Sequence, residues 1–549
     1  MKPAQKINSS IDGFLRSISL IGPIVVLFVS PANLDPVNVP KMSILALLVG
    51  ANLAYATGML NLRNFPNKLK IVLSILIFGL LIPVIFSDSP ILQQFYGVFG
   101  RNSGFLTYLS FLLVFVLNYN FGNLLLINRT VNYLFLAGAI NLIIGISEVN
   151  GNNVFGLENI FKRPLGTLGN PDFYCAFLAI IISLILPTFA SKEVSIVKKV
   201  MYGVFTFLSF WIISISNIRQ AQIMCLVGFT IYGYMTLKEN SHVSKIVIKG
   251  TAFVSLAFIS LVLLGAVNQG PLASLIYKRT MGFRIEYWKT SLNMFLAHPV
   301  TGTGLDGYSD NFERYRPKNT YQVLGNIEYA NASHNIFLDY LSGGGIVLAF
   351  GYLLIVAMTF KSVLRIFRNS KIDDPILGVA LAWVLFQIQS FVSIGQIGIS
   401  VLGWIFSGLI LSLNLESDKG DQSKLTLKPE PKILVITFLG TLLTFGISMP
   451  PTVLDAQWKN AVVSQDGERI FRLAKTWPYE TTRLIKAADA FSQAGYDSKS
   501  LSLIRFAINF NQESLQAWQR LRDHPAATHN EKRQAKLFMK RLANTVSPL

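Results

Sequence analysis

The sequence predicts an all-α, polytopic membrane protein of about 12–13 transmembrane helices with a small helical tail. Three observations lead there. The chain has 549 residues, 52% of them hydrophobic and only 14% charged, whereas a soluble domain carries about 25% charged residues. Apolar stretches long enough to cross a bilayer recur along the chain between short polar breaks. Basic residues concentrate in alternate breaks, as they do in cytoplasmic loops.

The apolar stretches place helices near 15–31, 42–60, 71–87, 104–118, 131–148, 173–190, 200–217, 220–237, 250–267, 337–360, 375–393, 399–415 and 433–449. The first of them, from Ile18 to Val29, lacks a small-residue cleavage site and is read as a retained helix. With Lys2, Lys6 and Arg16 in the cytoplasm, alternate loops should be basic. They carry Arg63, Lys68 and Lys70; Lys192, Lys198 and Lys199; Lys238, Lys245 and Lys249; Lys361, Arg365, Arg368 and Lys371; and Lys419, Lys424, Lys428 and Lys432. The N-terminus is therefore expected inside, and an odd helix count sends the C-terminal tail outside. The same asymmetry explains the net charge of +19. No basic run is interleaved with aromatics, so a nucleic-acid partner is not expected. Cys175 and Cys225 lie inside apolar stretches and read as packing residues.

Two outside segments are long. One spans roughly 268–336 and is expected to carry the active site; the other is the tail. The division is a membrane domain over 1–450 and a helical tail over 451–549. In the tail, Ala487-Ala488-Asp489-Ala490-Phe491, Gly495-Tyr496, Ala507-Ile508-Asn509-Phe510-Asn511 and Ala517-Trp518 resemble one tetratricopeptide helix pair. Such a unit normally needs neighbours to bury its face. A plain amphipathic tail is the alternative.

No Walker loop, HExxH, GxSxG or paired DxD motif is present, so nucleotide-driven or zinc-dependent chemistry has no obvious parts. Of five histidines, His242 falls in a cytoplasmic loop and His524 and His529 in the tail. His298 and His334 fall in the long outside segment. A neutral histidine suits proton abstraction from a hydroxyl near neutral pH. Arginines gather on the same side: Arg219 in the break Ser216-Asn217-Ile218-Arg219-Gln220, and Arg279 and Arg284 ahead of Trp288. A planar guanidinium suits diphosphate oxygens; snorkelling to lipid phosphate is the other reading.

The text of the long segment is more specific. Arg284 and Trp288 are followed by His298-Pro299-Val300-Thr301-Gly302-Thr303-Gly304, then by His334-Asn335-Ile336-Phe337-Leu338, then by Gly343-Gly344-Gly345 at the next helix. This order resembles the O-antigen ligase and polymerase superfamily. Arg163-Pro164-Leu165-Gly166-Thr167-Leu168-Gly169-Asn170-Pro171 and Gly100-Arg101-Asn102-Ser103-Gly104 resemble two other short outside loops of that family. The Arg219 break resembles its serine–arginine turn, departing from it at Asn217 and Ile218, and Leu348 stands where small or polar residues are usual. The likeness spans roughly residues 90–410.

The resemblance implies a helical fold of the GT-C type. It implies transfer of a glycan from a polyprenyl-diphosphate carrier to an acceptor hydroxyl outside the plasma (inner) membrane of a bacterium, with neither cofactor nor metal. The expected reaction is inverting O-antigen or polysaccharide ligation. Alternatives within the family are a polysaccharide polymerase and a protein O-oligosaccharyltransferase, so the acceptor is lipid A–core, a glycan or a protein. By motif, His334 matches the catalytic histidine and Arg219 and Arg284 the arginines that hold the diphosphate. Asn335, Arg279, Arg101, Arg163 and Asp306 are supporting candidates. Asp306, Asp310 and Asp339 could orient the acceptor or pair with an arginine, His298 shapes its loop, and Tyr340 and Trp288 pack. The tail hints at a protein partner. A lipid-linked glycan transporter is the main reading from a different class; it predicts mid-membrane charges and an internal repeat, and neither stands out. A scaffold acting through the tail would leave the ordered motifs unexplained.

Overall fold

A computed structural model of the chain describes residues 9–543 except 58, 61, 241, 267, 319, 321, 322, 324–329 and 415–430. Lys2, Lys6, Lys419, Lys424 and Lys428, used above to set the topology, lie outside the described residues. Regular structure among the described residues is entirely helical. In chain order the helices are α1 (Ser9–Leu27), α2 (Asn38–Ala56), α3 (Asn67–Phe86), α4 (Ile91–Tyr96), α5 (Phe105–Phe121), α6 (Leu124–Val149), α7 (Pro171–Ile185), α8 (Pro187–Ala190), α9 (Ile196–Ile215), α10 (Arg219–Glu239), α11 (Lys245–Ala266) and α12 (Ala273–Ile276). They continue with α13 (Arg279–Ala297), α14 (Tyr308–Tyr315), α15 (Ile336–Asn369), α16 (Pro375–Val392), α17 (Ile397–Asn414) and α18 (Pro431–Ser448). The tail holds α19 (Pro450–Val463), α20 (Gly467–Ala474), α21 (Thr481–Gln493), α22 (Asp497–Phe510), α23 (Leu515–Asp523) and α24 (His529–Ala543).

Among the described residues, nine helices are long and apolar enough to cross a membrane: α1, α2, α3, α6, α7 with α8, α9, α15, α16 and α18. Helices α5 and α17 are shorter apolar helices. Helices α10 and α11 stand where the eighth and ninth spans were expected. The chain is a multi-pass membrane protein. Most helices start a few residues ahead of the apolar stretch, and at α6 and α9 a capped polar turn precedes it. The Asn123 side chain accepts from Leu126 N at the start of α6, and Ser195 accepts from Lys198 N at the start of α9. Helix α15 also runs past the expected 360, so Lys361, Arg365 and Arg368 lie on its last turns and not in a loop. Cations there complement the partial negative charge of a helix C-terminus.

Within the bundle α5 packs on α17, α3 on α15, α2 on α18 and α7 on α16. Lys41, buried on α2, donates its Nζ to the Val25, Val26 and Phe28 carbonyls at 2.9, 2.6 and 2.8 Å. It thereby satisfies orphan carbonyls at the end of α1.

One end of the bundle is organised by an interruption in α15. Gly345 has φ +71 and breaks the helical geometry. The Ser342 and Gly343 carbonyls turn to accept Thr303 N (2.8 Å) and Gly304 N (3.1 Å), while Ile346 N donates to Pro299 O (2.8 Å). The His-Pro-x-x-Gly-x-Gly loop is thus hydrogen-bonded into the break. A Cβ at Gly345 would strike the Val300 carbonyl oxygen, which leaves no room for another residue.

The tail forms three successive helix pairs with a core of its own, including Trp458, Phe491 and Trp518. The stretch resembling a tetratricopeptide pair occupies α21 and α22 and reaches Ala517-Trp518 on α23, and the other pairs supply neighbours on both sides. The tail docks on the same end of the bundle through buried polar contacts. Asp310 accepts Gln93 Nε2 at 2.6 Å and Asn511 Nδ2 at 3.0 Å. Asp455 accepts Asp35 N at 3.0 Å and pairs with Arg483 at 3.3 Å. Arg314 pairs with Glu513 at 2.6 Å.

Burial raises the Asp310 and Asp455 carboxyls to about 6. An acid whose folded pKa is raised holds its proton better when docked, so docking weakens as pH rises from about 4 through 6. Hydrogen exchange in α21 and α22 should therefore be faster at pH 7.5 than at pH 5, after correction for intrinsic rates. Equal protection at both would refute this. Gly345→Ala should cost about 1–3 kcal/mol of stability, read as a lower Tm in detergent.

Candidate functional site

The site begins with a buried arginine. Arg101 lies in the turn between α4 and α5, where Gly97, Gly100 and Asn102 all have positive φ. Its side chain is 7% exposed. The Nε atom pairs with Asp306 Oδ1 at 3.0 Å, and a terminal nitrogen lies 3.6 Å from Asp339 Oδ2. The other Asp306 oxygen accepts Val98 N (2.8 Å) and Ser103 N (3.1 Å). Burial raises the Asp306 carboxyl to about 6 against the opposing pull of Arg101. Asp339 Oδ1 accepts both the backbone N (3.0 Å) and the Oγ (2.7 Å) of Ser333. Arg101 and Asp306 therefore brace the site from beneath.

His334 sits on this base. It follows Ser333, and the next residue, Asn335, caps α15 by accepting from Leu338 N at 3.2 Å. Held on both sides, His334 takes φ +55, a left-handed conformation that costs a non-glycine residue about 1–3 kcal/mol. Its ring stacks on Tyr287 of α13, with centroids 5.4 Å apart and an angle of 25°. Tyr308 Oη holds that turn by donating to the Tyr287 carbonyl at 2.9 Å. Neither imidazole nitrogen is hydrogen-bonded to a described residue, and part of the ring remains accessible. Burial, with the charges of Arg284 and Arg101, lowers the His334 pKa to about 3. The imidazole is neutral and has a free nitrogen.

Cations line the approach. Arg284, on α13, is 4.0 Å from Asp172 in the first turn of α7. Burial lowers its pKa, but a guanidinium stays charged at any working pH. Arg219 opens α10 and donates to Gln222 Oε1 at 3.3 Å on an exposed face. Lys278 donates to the Asn217 carbonyl at 2.9 Å and so ties the start of α13 to the Arg219 turn. Burial lowers the Lys278 pKa, as do the charges of Arg219, Arg163 and Arg284, while Asp172 raises it. Lys278 thus sits in the field of three arginines and one carboxylate.

Other candidates are placed differently. Arg163 lines a cleft of about 390 Å³ with Glu148, Asn152, Asn153, Asn159 and Lys162. Arg279 is exposed and lies over the Phe283 ring of its own helix at 5.8 Å. His298 Nε2 is bonded to Tyr315 Oη at 2.8 Å. Tyr340 stacks on Tyr352 and Trp288 packs on Phe391. Asp310 partners Gln93 and Asn511, not an arginine.

Sequence reasoning missed Lys278, Tyr287 and the hydrogen bond between Gln220 of α10 and Gln389 of α16. The pairing of Lys278 with Arg279 was the available signal for the first. Among the described residues, no three His, Cys, Asp or Glu side chains are placed to share a metal ion. What the site offers is a neutral base beside a field of cations.

Residues 204–353 match the family model described as O-Antigen ligase. The match runs from α9 into α15 and includes Arg219, Lys278, Arg284, His334 and Gly345. That superfamily ligates or polymerises glycans. No curated protein matches the chain.

Removing Arg101 would strand two buried carboxylates, and breaking a buried pair costs about 3–5 kcal/mol. Arg101→Ala should therefore lower the yield of monodisperse protein in size-exclusion chromatography, while Arg219→Ala, at an exposed position, should elute as wild type. Equal profiles for the two variants would contradict the bracing role.

Proposed function

The chain carries an O-antigen ligase domain, and from that premise we propose that it transfers a glycan from a polyprenyl-diphosphate carrier to an acceptor hydroxyl. The observation that carries the reading is His334, neutral, without a hydrogen bond to a described residue, and within the field of Arg284. A diphosphate is already a good leaving group, so the protein has two tasks: to take the hydroxyl proton and to stabilise charge on the departing diphosphate. The acceptor oxygen attacks the anomeric carbon as its proton passes to His334. The bond from that carbon to the phosphate oxygen breaks, and its electron pair leaves with the diphosphate. Arg284, Arg219 and Lys278 hold the oxygens that gain charge. A single displacement inverts the anomeric centre.

The site faces the extracytoplasmic side in this reading. Its support is the distribution of charge along the bundle. Lys238, Arg365, Arg368, Arg63 and Lys70 fall at helix ends opposite the His334 end, as the positive-inside tendency requires. The acceptor that reacts (lipid A–core, a glycan chain or a Ser/Thr-rich protein) assigns the subclass.

The test is transfer by purified protein given a polyprenyl-diphosphate-linked glycan and those three acceptors. A positioned general base contributes about 10²–10⁴-fold, so His334→Ala should lose at least 100-fold in rate while keeping its Tm. Arg284→Ala and Arg219→Ala should each lower kcat/KM for the donor. Transfer by His334→Ala at the wild-type rate, or retention at the anomeric carbon, would refute the mechanism.

A further inference from the structure

A second cleft opens at the His334 end of the bundle, with a volume of about 430 Å³. Its walls come from the loop joining α1 and α2 (Asn33, Asp35), the α6–α7 connection (Phe155, Asn170) and the α16–α17 turn (Gln396). Lys459 of the tail stands at its edge. The cleft and the cation cluster flank the start of α7. Phe173 lines the cleft, while its neighbour Asp172 faces Arg284. The α16–α17 turn packs beside Ile336, two residues from His334: a Cβ on Gly395 would lie 3.7 Å from the Ile336 side chain. The space therefore adjoins the site, and it shares Leu165 with the cleft that Arg163 lines.

Its chemistry is specific. Gln396 is 4% exposed, and its Oε1 accepts Ile399 N at 3.1 Å. Its Nε2 is buried without a partner. Asn170 uses its Oδ1 to cap α7, accepting Asp172 N at 2.8 Å, and its amide nitrogen is unbonded among the described residues. Asp35 Oδ2 is likewise buried and unpartnered. Residues that line the cleft thus hold two amide donors and one carboxyl oxygen without partners, and a buried polar atom left unbonded is costly. Phe173 is buried and Phe155 half-buried in the same walls. An anion is poorly served. Asp35 and Glu158 outnumber Lys459, whose Nζ already donates to Pro31 O at 2.6 Å.

Neutral ligands that donate and accept from adjacent hydroxyls, and present C–H faces to aromatic rings, are saccharides. We propose that this cleft binds a neutral saccharide unit of the acceptor, holding it so that the adjoining hydroxyl reaches His334. The assignment rests on the transferase reading and adds that the acceptor is a glycan.

The test uses the full chain in detergent micelles. The probe is a carrier-free oligosaccharide, cut by mild acid from the host's own envelope polysaccharide. Gln396→Glu keeps the capping oxygen and removes the free donor; Phe155→Ala removes an aromatic wall. Saturation-transfer NMR should show the probe bound to wild type and to His334→Ala, with signal falling at least fivefold in Gln396→Glu and Phe155→Ala. In transfer assays both variants should raise the acceptor KM at least fivefold, with the donor KM at the wild-type value. No binding by wild type, undiminished binding by both variants, a rise confined to the donor KM, or displacement of the probe by a Ser/Thr-rich peptide would each overturn the assignment. The binding arm reads the cleft even if His334→Ala still transfers, so failure of the mechanism and failure of the cleft are told apart.

Discussion

Arg101 is the constraint on which the site depends. It joins the α4–α5 turn, the loop carrying Asp306 and the first turn of α15 through Asp339. Two carboxylates and one guanidinium share a space with little water. Such a group is a poor source of net stability, because desolvation offsets most of the attraction, but removing one member leaves an uncompensated charge. Its value is in geometry. Asp339 spends its other oxygen on Ser333, the residue before His334, so the position of the histidine is set by an arginine more than 200 residues away in the chain. That rigidity is what sustains the left-handed backbone of His334.

The break in α15 works with this pair. A continuous helix would keep the Ser342 and Gly343 carbonyls for itself. Gly345 releases them to Thr303 and Gly304, so the loop and the helix fold as one piece. The same loop carries Asp306 to Arg101. The tail adds a third tie through Asp310, three residues beyond Gly307 and bonded to both Gln93 and Asn511. The helix end, the loop and the tail therefore register one another, and they hold His334 within the field of Arg284.

Hydropathy made the helices legible because it is a bulk property of about 20 residues, and a bilayer demands little else. All thirteen apolar stretches coincide with helices. Their ends were less legible. Caps such as Asn123 and Ser195 are single residues, and the basic turns of α15 look like a loop when only hydropathy is read. The motif order pointed to His334, Arg219 and Arg284, but not to how they are held. Nothing local in Gly100-Arg101-Asn102 shows that Arg101 faces inward to two aspartates over 200 residues on. Lys278 was missed for a related reason: a lysine beside Arg279 reads as one more interfacial cation until its bond to Asn217 places it in the cluster. The inverse holds for Arg279, which the text placed with Arg284 and which the turn of α13 carries to an exposed face.

The cluster also bears on how a histidine with so low a pKa could act as a base. Burial and the charges of Arg284 and Arg101 hold it near 3 with no ligand present, and at that value it is a weak acceptor of protons. In the proposed reaction the donor brings a diphosphate to Arg284. Its negative charge would cancel the guanidinium field at the imidazole and favour the protonated form, raising the pKa. Arg101, already neutralised by two carboxylates, contributes little to the change. The base would thus strengthen when the leaving group is in place, and it would stay neutral and ready until then. The same cations that receive charge from the departing diphosphate set the timing of proton transfer, so the two tasks of the site are coupled by one electrostatic interaction.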